Sequence, residues 1–133
     1  MSKTYHGSCH CKTVTFDVDA DISKGTAKCN CTLCTKSRFW SVAVKPTDFR
    51  LLTGADSLTI YNKGPNNIEN VFCNICGVYI YHKANLEQLA GEFMFVSVPS
   101  LNPGINAMVE APVHFADGFN DKWGEKPEIT SYL

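Results

Sequence analysis

The sequence predicts a mainly β protein built from antiparallel sheets, and two observations support this fold class. Apolar runs are short and rich in β-branched and aromatic residues, and turn-forming residues interrupt them at frequent intervals. Residues 54–57 and 63–67 are turns of this kind. We therefore predict eight strands, at residues 5–7, 13–18, 39–44, 49–53, 58–61, 68–72, 78–81 and 93–98.

One short helix is predicted at residues 84–89, with Asn85 or a neighbour as its N-cap. It is less than two turns long and cannot define the fold. After Pro99, residues 102–106 end the strand pattern, and the apolar run at 107–113 is expected to pack on the sheet. The glycine, proline and aromatic content of this tail leaves partial mobility as the alternative.

Length and composition indicate one soluble globular domain that spans residues 1–133. Hydrophobic residues make up 44% of the chain and charged residues 19%, whereas a disordered chain is poorer in apolar residues. Twelve Lys and Arg oppose thirteen Asp and Glu, which gives a formal net charge of -1. This balance disfavours nucleic acid or an anionic membrane as a partner, because both require a large basic surface.

The cysteine content is best explained by metal binding. The first residues contain no apolar stretch like that of a signal peptide, and no apolar run approaches the ~20 residues of a membrane span, so we expect a cytoplasmic protein. A reducing compartment disfavours stable disulfides. The chain also has seven cysteines, and an odd number leaves one thiol over in any fully paired scheme.

The first and last groups of cysteines together predict a four-thiolate site. Cys73 and Cys76 lie three residues apart and precede Gly77, as in a zinc knuckle, where a tight turn directs two sulfurs to one ion. Cys9 and Cys11 can supply the other two sulfurs, because residues two apart on a strand point to the same face. A closed site of this kind contributes folding energy.

The middle group, Cys29, Cys31 and Cys34, predicts a second site with three protein ligands. Cys29 and Cys31 can share a strand face, and Cys34 would sit on the turn just beyond. Three ligands leave one coordination position open, which is typical of a catalytic zinc that accepts water or a substrate thiol.

The residues alone leave three alternatives to this division. Both sites could be structural, with the middle site completed by His10, His6 or an acidic side chain. The ligand pairs could be exchanged, with the Cys9 pair joining Cys29 and Cys31. Thiolate clusters can also hold iron–sulfur centres, although the knuckle and the β pattern favour zinc.

Three ordered motifs resemble the glutathione-dependent formaldehyde-activating enzymes, a family that includes centromere protein V. They are residues 7–11 followed by Val14 and Phe16, then residues 29–34, then residues 72–77. The resemblance implies a twisted antiparallel architecture known as a β-tent, which is similar to Mss4. It also implies two zinc ions per chain. The structural zinc would bind Cys9, Cys11, Cys73 and Cys76, and the catalytic zinc would bind Cys29, Cys31 and Cys34.

Some positions depart from the family pattern. Lys12 stands where the family commonly has glycine, and residues 35–40 are bulkier than its usual small residues after the third cysteine. Trp40, six residues after Cys34, is therefore our candidate substrate-binding residue. By contrast, His10 is expected to point away from the metal, and His114 is expected to be a surface histidine.

The expected function is that of a zinc-dependent carbon–sulfur lyase or synthase. What the resemblance implies is that a small thiol such as glutathione condenses with formaldehyde to give S-hydroxymethylglutathione. Thiol activation is needed because a free thiol with pKa ~8.5 is mostly protonated at neutral pH. The alternative is a non-enzymatic zinc-binding module for a protein partner or for metal buffering. The only notable charges near the middle group are Lys36 and Arg38, too few for nucleic acid.

Overall fold

Ten strands dominate the part of the chain that the computed structural model describes, which comprises residues 2–62, 68–86, 91–102, 109 and 111–133. The mainly β prediction is confirmed. In chain order the strands are β1 (Lys3–Ser8), β2 (Thr15–Ala20), β3 (Thr26–Cys29), β4 (Trp40–Val44), β5 (Phe49–Thr53), β6 (Leu58–Tyr61), β7 (Ile68–Cys73), β8 (Tyr79–Leu86), β9 (Gly91–Ser97) and β10 (Val113–Ala116).

The described helices are short. The α-helix α1 covers Thr32–Ser37, in a segment that the sequence analysis expected to be a turn. Three-residue 3-10 helices lie at Ile22–Lys24, Pro46–Asp48, Ala55–Ser57, Val98–Ser100 and Gly118–Asn120. None of the helices in the described ranges has the length and apolar content that a membrane crossing requires.

The strands form two sheets. The smaller sheet has the order β1-β2-β5, and the larger has the order β10-β3-β4-β9-β8-β7-β6. Every pairing between these strands is antiparallel except that of β10 with β3, which is parallel. This pair departs from the antiparallel prediction. Parallel strands need a long connection, and here the chain returns to β3 only after building the rest of the larger sheet.

A shared core joins the two sheets. In β2, Phe16, Val18 and Ala20 are buried while their neighbours are partly exposed, as expected when alternate side chains point to one face. They belong to the same buried cluster as Val42 and Val96 of the larger sheet. The smaller sheet therefore packs its apolar face against the larger one.

The predicted helix at 84–89 is wrong where the structure describes it. Ala84, Asn85 and Leu86 belong to strand β8, while residues 87–89 lie outside the described residues. Ala84 is 2% exposed and is paired with Ile68 on one side and Phe93 on the other. Burial between two strands outweighs the helix preference of so short a segment.

Two strands, β3 and β10, were not predicted. Their residues lack a strong alternating pattern, and their pairing depends on contacts distant in the sequence. The predicted turn at 63–67 lies outside the described residues, as does most of the run at 107–113. Among the described residues of that run, Ala111 is 6% exposed and belongs to the core, whereas Val109 is 75% exposed, so the packed-tail expectation is met only in part.

Gly7 is needed for the close contact between β1 and β2. It is paired directly with Phe16, whose fully buried ring stacks on Phe49 with 5.2 Å between the ring centroids. A Cβ atom on residue 7 would lie 2.6 Å from Cε2 of Phe16, which is closer than real Cβ atoms approach. Gly7, the glycine that begins the 7–11 motif, therefore has a packing role.

We predict that Gly7→Ala lowers the free energy of unfolding by about 1–3 kcal/mol, because the extra methyl overpacks the core. This loss should exceed the ~0.4–1 kcal/mol that alanine gains through the unfolded chain. Urea unfolding of the metal-loaded protein measures the change. Gly124→Ala is the matched control, since nothing lies within 4 Å of a Cβ placed there. Equal stability of the two variants would contradict the packing role.

Candidate metal centres

The first cluster brings together Cys9, Cys11, Cys73 and Cys76, whose sulfur atoms all lie within 4.8 Å of one another. The Sγ atoms of Cys9 and Cys11 are 3.5 Å apart, and those of Cys11 and Cys73 are 3.7 Å apart. Cys9 is 2% exposed and Cys73 is fully buried, so half of the cluster is part of the protein core. The exchanged pairing considered above does not occur.

Two turns build this cluster. Gly77 has φ of +79°, and its N–H donates to the carbonyl of Cys73 at 2.7 Å, which closes the knuckle turn. Cys9 and Cys11 lie in the turn after β1 rather than on a strand, so the predicted strand geometry is wrong. Lys12 has φ of 65°, in the left-handed region, where glycine is the least strained residue.

Burial and local hydrogen bonds shift the pKa values of Cys9 and Cys76 in opposite directions. Burial raises the pKa of Cys9 to about 11. Burial also opposes ionisation of Cys76, but hydrogen bonds from the backbone of Cys11 and Val78 outweigh it and lower the pKa of Cys76 to about 6. The N–H of Val14 donates to the sulfur of Cys9 at 3.4 Å. A cation would favour the ionised form of all four sulfurs.

The second cluster brings together Cys29, Cys31 and Cys34 within the same 4.8 Å limit. Cys29 is the last residue of β3, Cys31 is the N-cap of α1, and Cys34 lies in the helix. The expectation that Cys29 and Cys31 share a strand face is therefore wrong. The N–H of Cys31 donates to the Cys29 sulfur at 3.3 Å, and the N–H of Cys34 donates to the Cys31 sulfur at 3.4 Å.

Crowding of three sulfurs shifts their acidities in opposite directions. Hydrogen bonds from Cys29 and Cys34 lower the pKa of Cys31. The contacts with Cys29 and Cys31, together with burial, raise the pKa of Cys34 strongly, and the contact with Cys31 raises the pKa of Cys29. One thiolate is thus favoured at the expense of its neighbours. A bound cation would remove this competition.

A cavity of about 220 Å³ opens beside the second cluster, and two of its cysteines, Cys29 and Cys34, line it. Trp40, the predicted substrate-binding residue, lies in its wall, held by a 2.7 Å hydrogen bond from Nε1 to Oγ1 of Thr26. The ammonium of Lys28 lies 5.1 Å from the centroid of the Trp40 ring. The lining residues are Lys28, Cys29, Cys34, Arg38, Phe39, Trp40, Pro99 and Leu133.

The histidines proposed as a fourth ligand do not join the second cluster. Over the described part of the chain, the group within 4.8 Å contains only the three cysteines. His6 contacts the carboxylate of Asp17, and His10 is exposed. His114, which is expected to be a surface histidine and not a ligand, is exposed as well. The structure therefore gives no support to a middle site that one of these histidines completes.

Sequence reasoning missed His82, which lies behind the cavity wall. Its ring is 7% exposed and stacks on Phe39 with 3.7 Å between centroids. Burial lowers the pKa of His82 to about 4, so the imidazole is neutral at neutral pH. Its Nε2 has no hydrogen-bond partner among the described residues. The alternation of β8 could have indicated burial, but nothing in the sequence pairs His82 with Phe39.

The donor chemistry of both clusters fits a metal ion. All seven cysteines are described, and none of them is in a disulfide. Sets of four and three sulfurs suit soft or borderline metals and are poor ligands for magnesium or calcium. The first set can complete a tetrahedron by itself, whereas the second leaves a position for an exogenous ligand.

Two comparisons with known proteins give the family and a structure of similar fold. The family model described as glutathione-dependent formaldehyde-activating enzyme matches residues 4–115. The crystal structure of a Rhodobacter sphaeroides protein is similar in fold, with a TM-score of 0.68 and 26% sequence identity. That match covers 82% of this chain and 99% of the other. Because the family model spans most of the chain and includes both cysteine clusters, the chain belongs to the glutathione-dependent formaldehyde-activating enzyme family.

Proposed function

We propose that this protein is a zinc-dependent carbon–sulfur lyase or synthase that acts on a small thiol or its thioether adduct. The leading reaction is the formation of S-hydroxymethylglutathione from glutathione and formaldehyde, in keeping with the family description. The observation that carries the proposal is the cavity at the second cluster, because Cys29 and Cys34 face the space where a substrate would bind. Seven free thiols suit a reducing compartment, so we place the protein in the cytoplasm.

We assign a different role to each cluster. Cys9, Cys11, Cys73 and Cys76 would hold a structural zinc, because four sulfurs leave no position for substrate. Cys29, Cys31 and Cys34 would hold a catalytic zinc. When bound there, zinc would supply a Lewis-acidic position that favours the thiolate form of an incoming thiol at neutral pH.

The cavity residues suit an anionic thiol. Lys28 and Arg38 contribute positive charge, and none of the lining side chains given above is acidic. Glutathione carries two carboxylates and one ammonium group, so it is attracted to such a site. Phe39 and Trp40 supply an apolar wall that limits the access of water to the reacting atoms.

The reaction needs no redox partner. The substrate sulfur forms a bond to the formaldehyde carbon, the carbonyl π pair moves to oxygen, and that oxygen takes up the proton that the thiol has lost. Cleavage of the adduct is the reverse, with the proton leaving the hydroxyl group. The role of this chain is to bind the thiol, orient its sulfur toward the cavity and hold water back.

A non-enzymatic zinc-binding module is the second candidate function. It is favoured by two aromatic side chains that are largely exposed, Phe119 at 68% and Trp123 at 58%. Such residues are enriched at protein interfaces. This module would bind a protein partner or buffer metal, and would show no reaction with any thiol.

We predict that the purified protein contains two zinc ions per chain, one for each cluster. Elemental analysis combined with thiol titration under denaturing conditions measures the ratio of zinc to cysteine. The control is the same protein after dialysis against a strong chelator. A single zinc ion, or the visible absorbance of an iron–sulfur cluster, would contradict the assignment.

Replacing Cys76 should destabilise the protein much more than replacing Cys34. The first cluster joins the turn after β1 to the end of β7 and closes a long loop, whereas the second takes its ligands from one short segment. Structural zinc sites contribute ~10–16 kcal/mol in small zinc-finger peptides, so Cys76→Ala should unfold the domain. Thermal melting and zinc content of Cys34→Ala and Cys76→Ala, measured in parallel, test this. If Cys34→Ala unfolds as severely, the second site is structural.

We expect Lys28→Ala to raise KM for glutathione about two- to fivefold, the effect of losing a partly exposed charge pair worth ~0.5–1 kcal/mol. KM for an uncharged thiol such as 2-mercaptoethanol should not change. The assay is NMR exchange spectroscopy of formaldehyde with a panel of thiols, and Lys45→Ala, at an exposed position distant in sequence, is the control. Failure of the wild-type protein to accelerate adduct formation with any thiol would favour the non-enzymatic module.

A further inference from the structure

Asn30 is a buried amide between two cysteines of the second cluster. It is 8% exposed, and both ends of its side chain are used. Its Nδ2 donates to Oδ1 of Asp117 at 2.8 Å, and its Oδ1 accepts from the N–H of Phe119 at 2.9 Å. A buried amide with both ends satisfied has one preferred orientation, because rotation would leave two polar groups unpaired.

The partner of Asn30 is itself held in place. Asp117 is 7% exposed, and Nδ2 of Asn120 donates to its two carboxylate oxygens at 3.2 and 2.9 Å. The N–H of Asp117 donates to the carbonyl of Glu125 at 2.9 Å, and its carbonyl accepts from the N–H of Lys122 at 2.8 Å. The tail side of the contact is therefore a rigid anchor.

The backbone reinforces the same contact. Strand β10 runs parallel to β3, and the last pair in their register is Ala116 with Cys29. Immediately beyond it, the N–H of Asn30 donates to the carbonyl of Ala116 at 3.2 Å. Main chain and side chain of Asn30 thus both attach the cysteine segment to the tail.

The tail also touches one of the sulfurs. A Cβ atom on Gly118 would lie 2.6 Å from the sulfur of Cys29 and 2.6 Å from the ring of Trp123. The backbone at Gly118 therefore passes closer to Cys29 than a residue with a side chain would allow. This contact restricts where the Cys29 sulfur can move.

We infer that Asn30 and Asp117 are positioning residues that hold Cys29 and Cys31 in the arrangement that binds the second metal ion. The inference rests on the proposed metal-binding role of that cluster. Three ligands in one short segment could otherwise spread apart at little cost, and the two residues connect this segment to a strand far along the chain. Contacts behind the ligands of a metal site commonly set its affinity.

The test is the rate at which zinc leaves the second site of the zinc-loaded full chain. Asn30→Asp places two carboxylates against each other and should weaken zinc binding at the second cluster about ten- to a hundredfold. A chromogenic chelator should then remove one zinc per chain correspondingly faster, while the other zinc stays as slow as in the wild-type protein. Asn62→Asp, at an exposed position, is the matched control.

A double variant that exchanges the residues at positions 30 and 117 should restore zinc binding at the second cluster. In Asn30→Asp combined with Asp117→Asn, the new amide can donate to the new carboxylate, and the N–H of Phe119 still has an acceptor. Zinc release should therefore return toward the wild-type rate. A general loss of stability would not be repaired in this way, and it would speed the release of both ions.

Each remaining outcome is decisive. If Asn30→Asp releases zinc at the wild-type rate, or if the double variant releases it as fast as Asn30→Asp does, the positioning role is overturned and the proposed function is not affected. Wild-type protein that holds a single zinc would overturn the proposed function as well. If Asn30→Asp does not fold, Asp117→Ala removes the same acceptor from the tail side. Faster loss of one zinc from that variant supports the inference, and unchanged loss overturns it.

Discussion

The structure depends on the close approach of four sulfurs between the turn after β1 and the knuckle after β7. These turns belong to strands of different sheets, so the cluster fixes the position of one sheet against the other. Cys9 and Cys73 are also members of the hydrophobic core. Four neighbouring thiols cannot all ionise without a cation, and burial makes the cost larger. A metal ion bound at this cluster would therefore couple to core packing, since two of the four sulfurs belong to residues of the core.

The second cluster shares no cysteine with the first, but its position depends on the larger sheet. Strand β3 carries Cys29 to the edge of the cavity, and it can do so because β4 and β10 lie on either side of it. Helix α1 then turns the chain so that Cys34 faces the same space. Phe39 and Trp40, which follow this helix, form the apolar wall of the cavity. The larger sheet thus positions a cluster whose three cysteines all come from one short segment.

Sequence reasoning predicted which cysteines lie together better than it predicted the backbone around them. The grouping of Cys9 and Cys11 with Cys73 and Cys76 was predicted, because the knuckle spacing requires two more ligands. The turn at Cys9 and the helix at Cys34 were not, because a few residues cannot distinguish a strand from a turn that metal and tertiary contacts stabilise. The parallel pairing of β10 and the contact between Asn30 and Asp117 were also missed. Both join positions distant in the sequence, and neither leaves a periodic pattern.

Because β10 pairs with β3 but lies about 85 residues later in the sequence, the two cysteine clusters are completed at different times during synthesis. A ribosome releases the chain from its N-terminus, so all ligands of the first cluster are available once residue 76 has emerged. The three sulfurs of the second cluster emerge even earlier, but β10 and the residues after it, which close over Cys29, come last. A nascent chain therefore passes through a stage in which the sulfur of Cys29 lacks the cover that β10 and Gly118 give it in the folded protein.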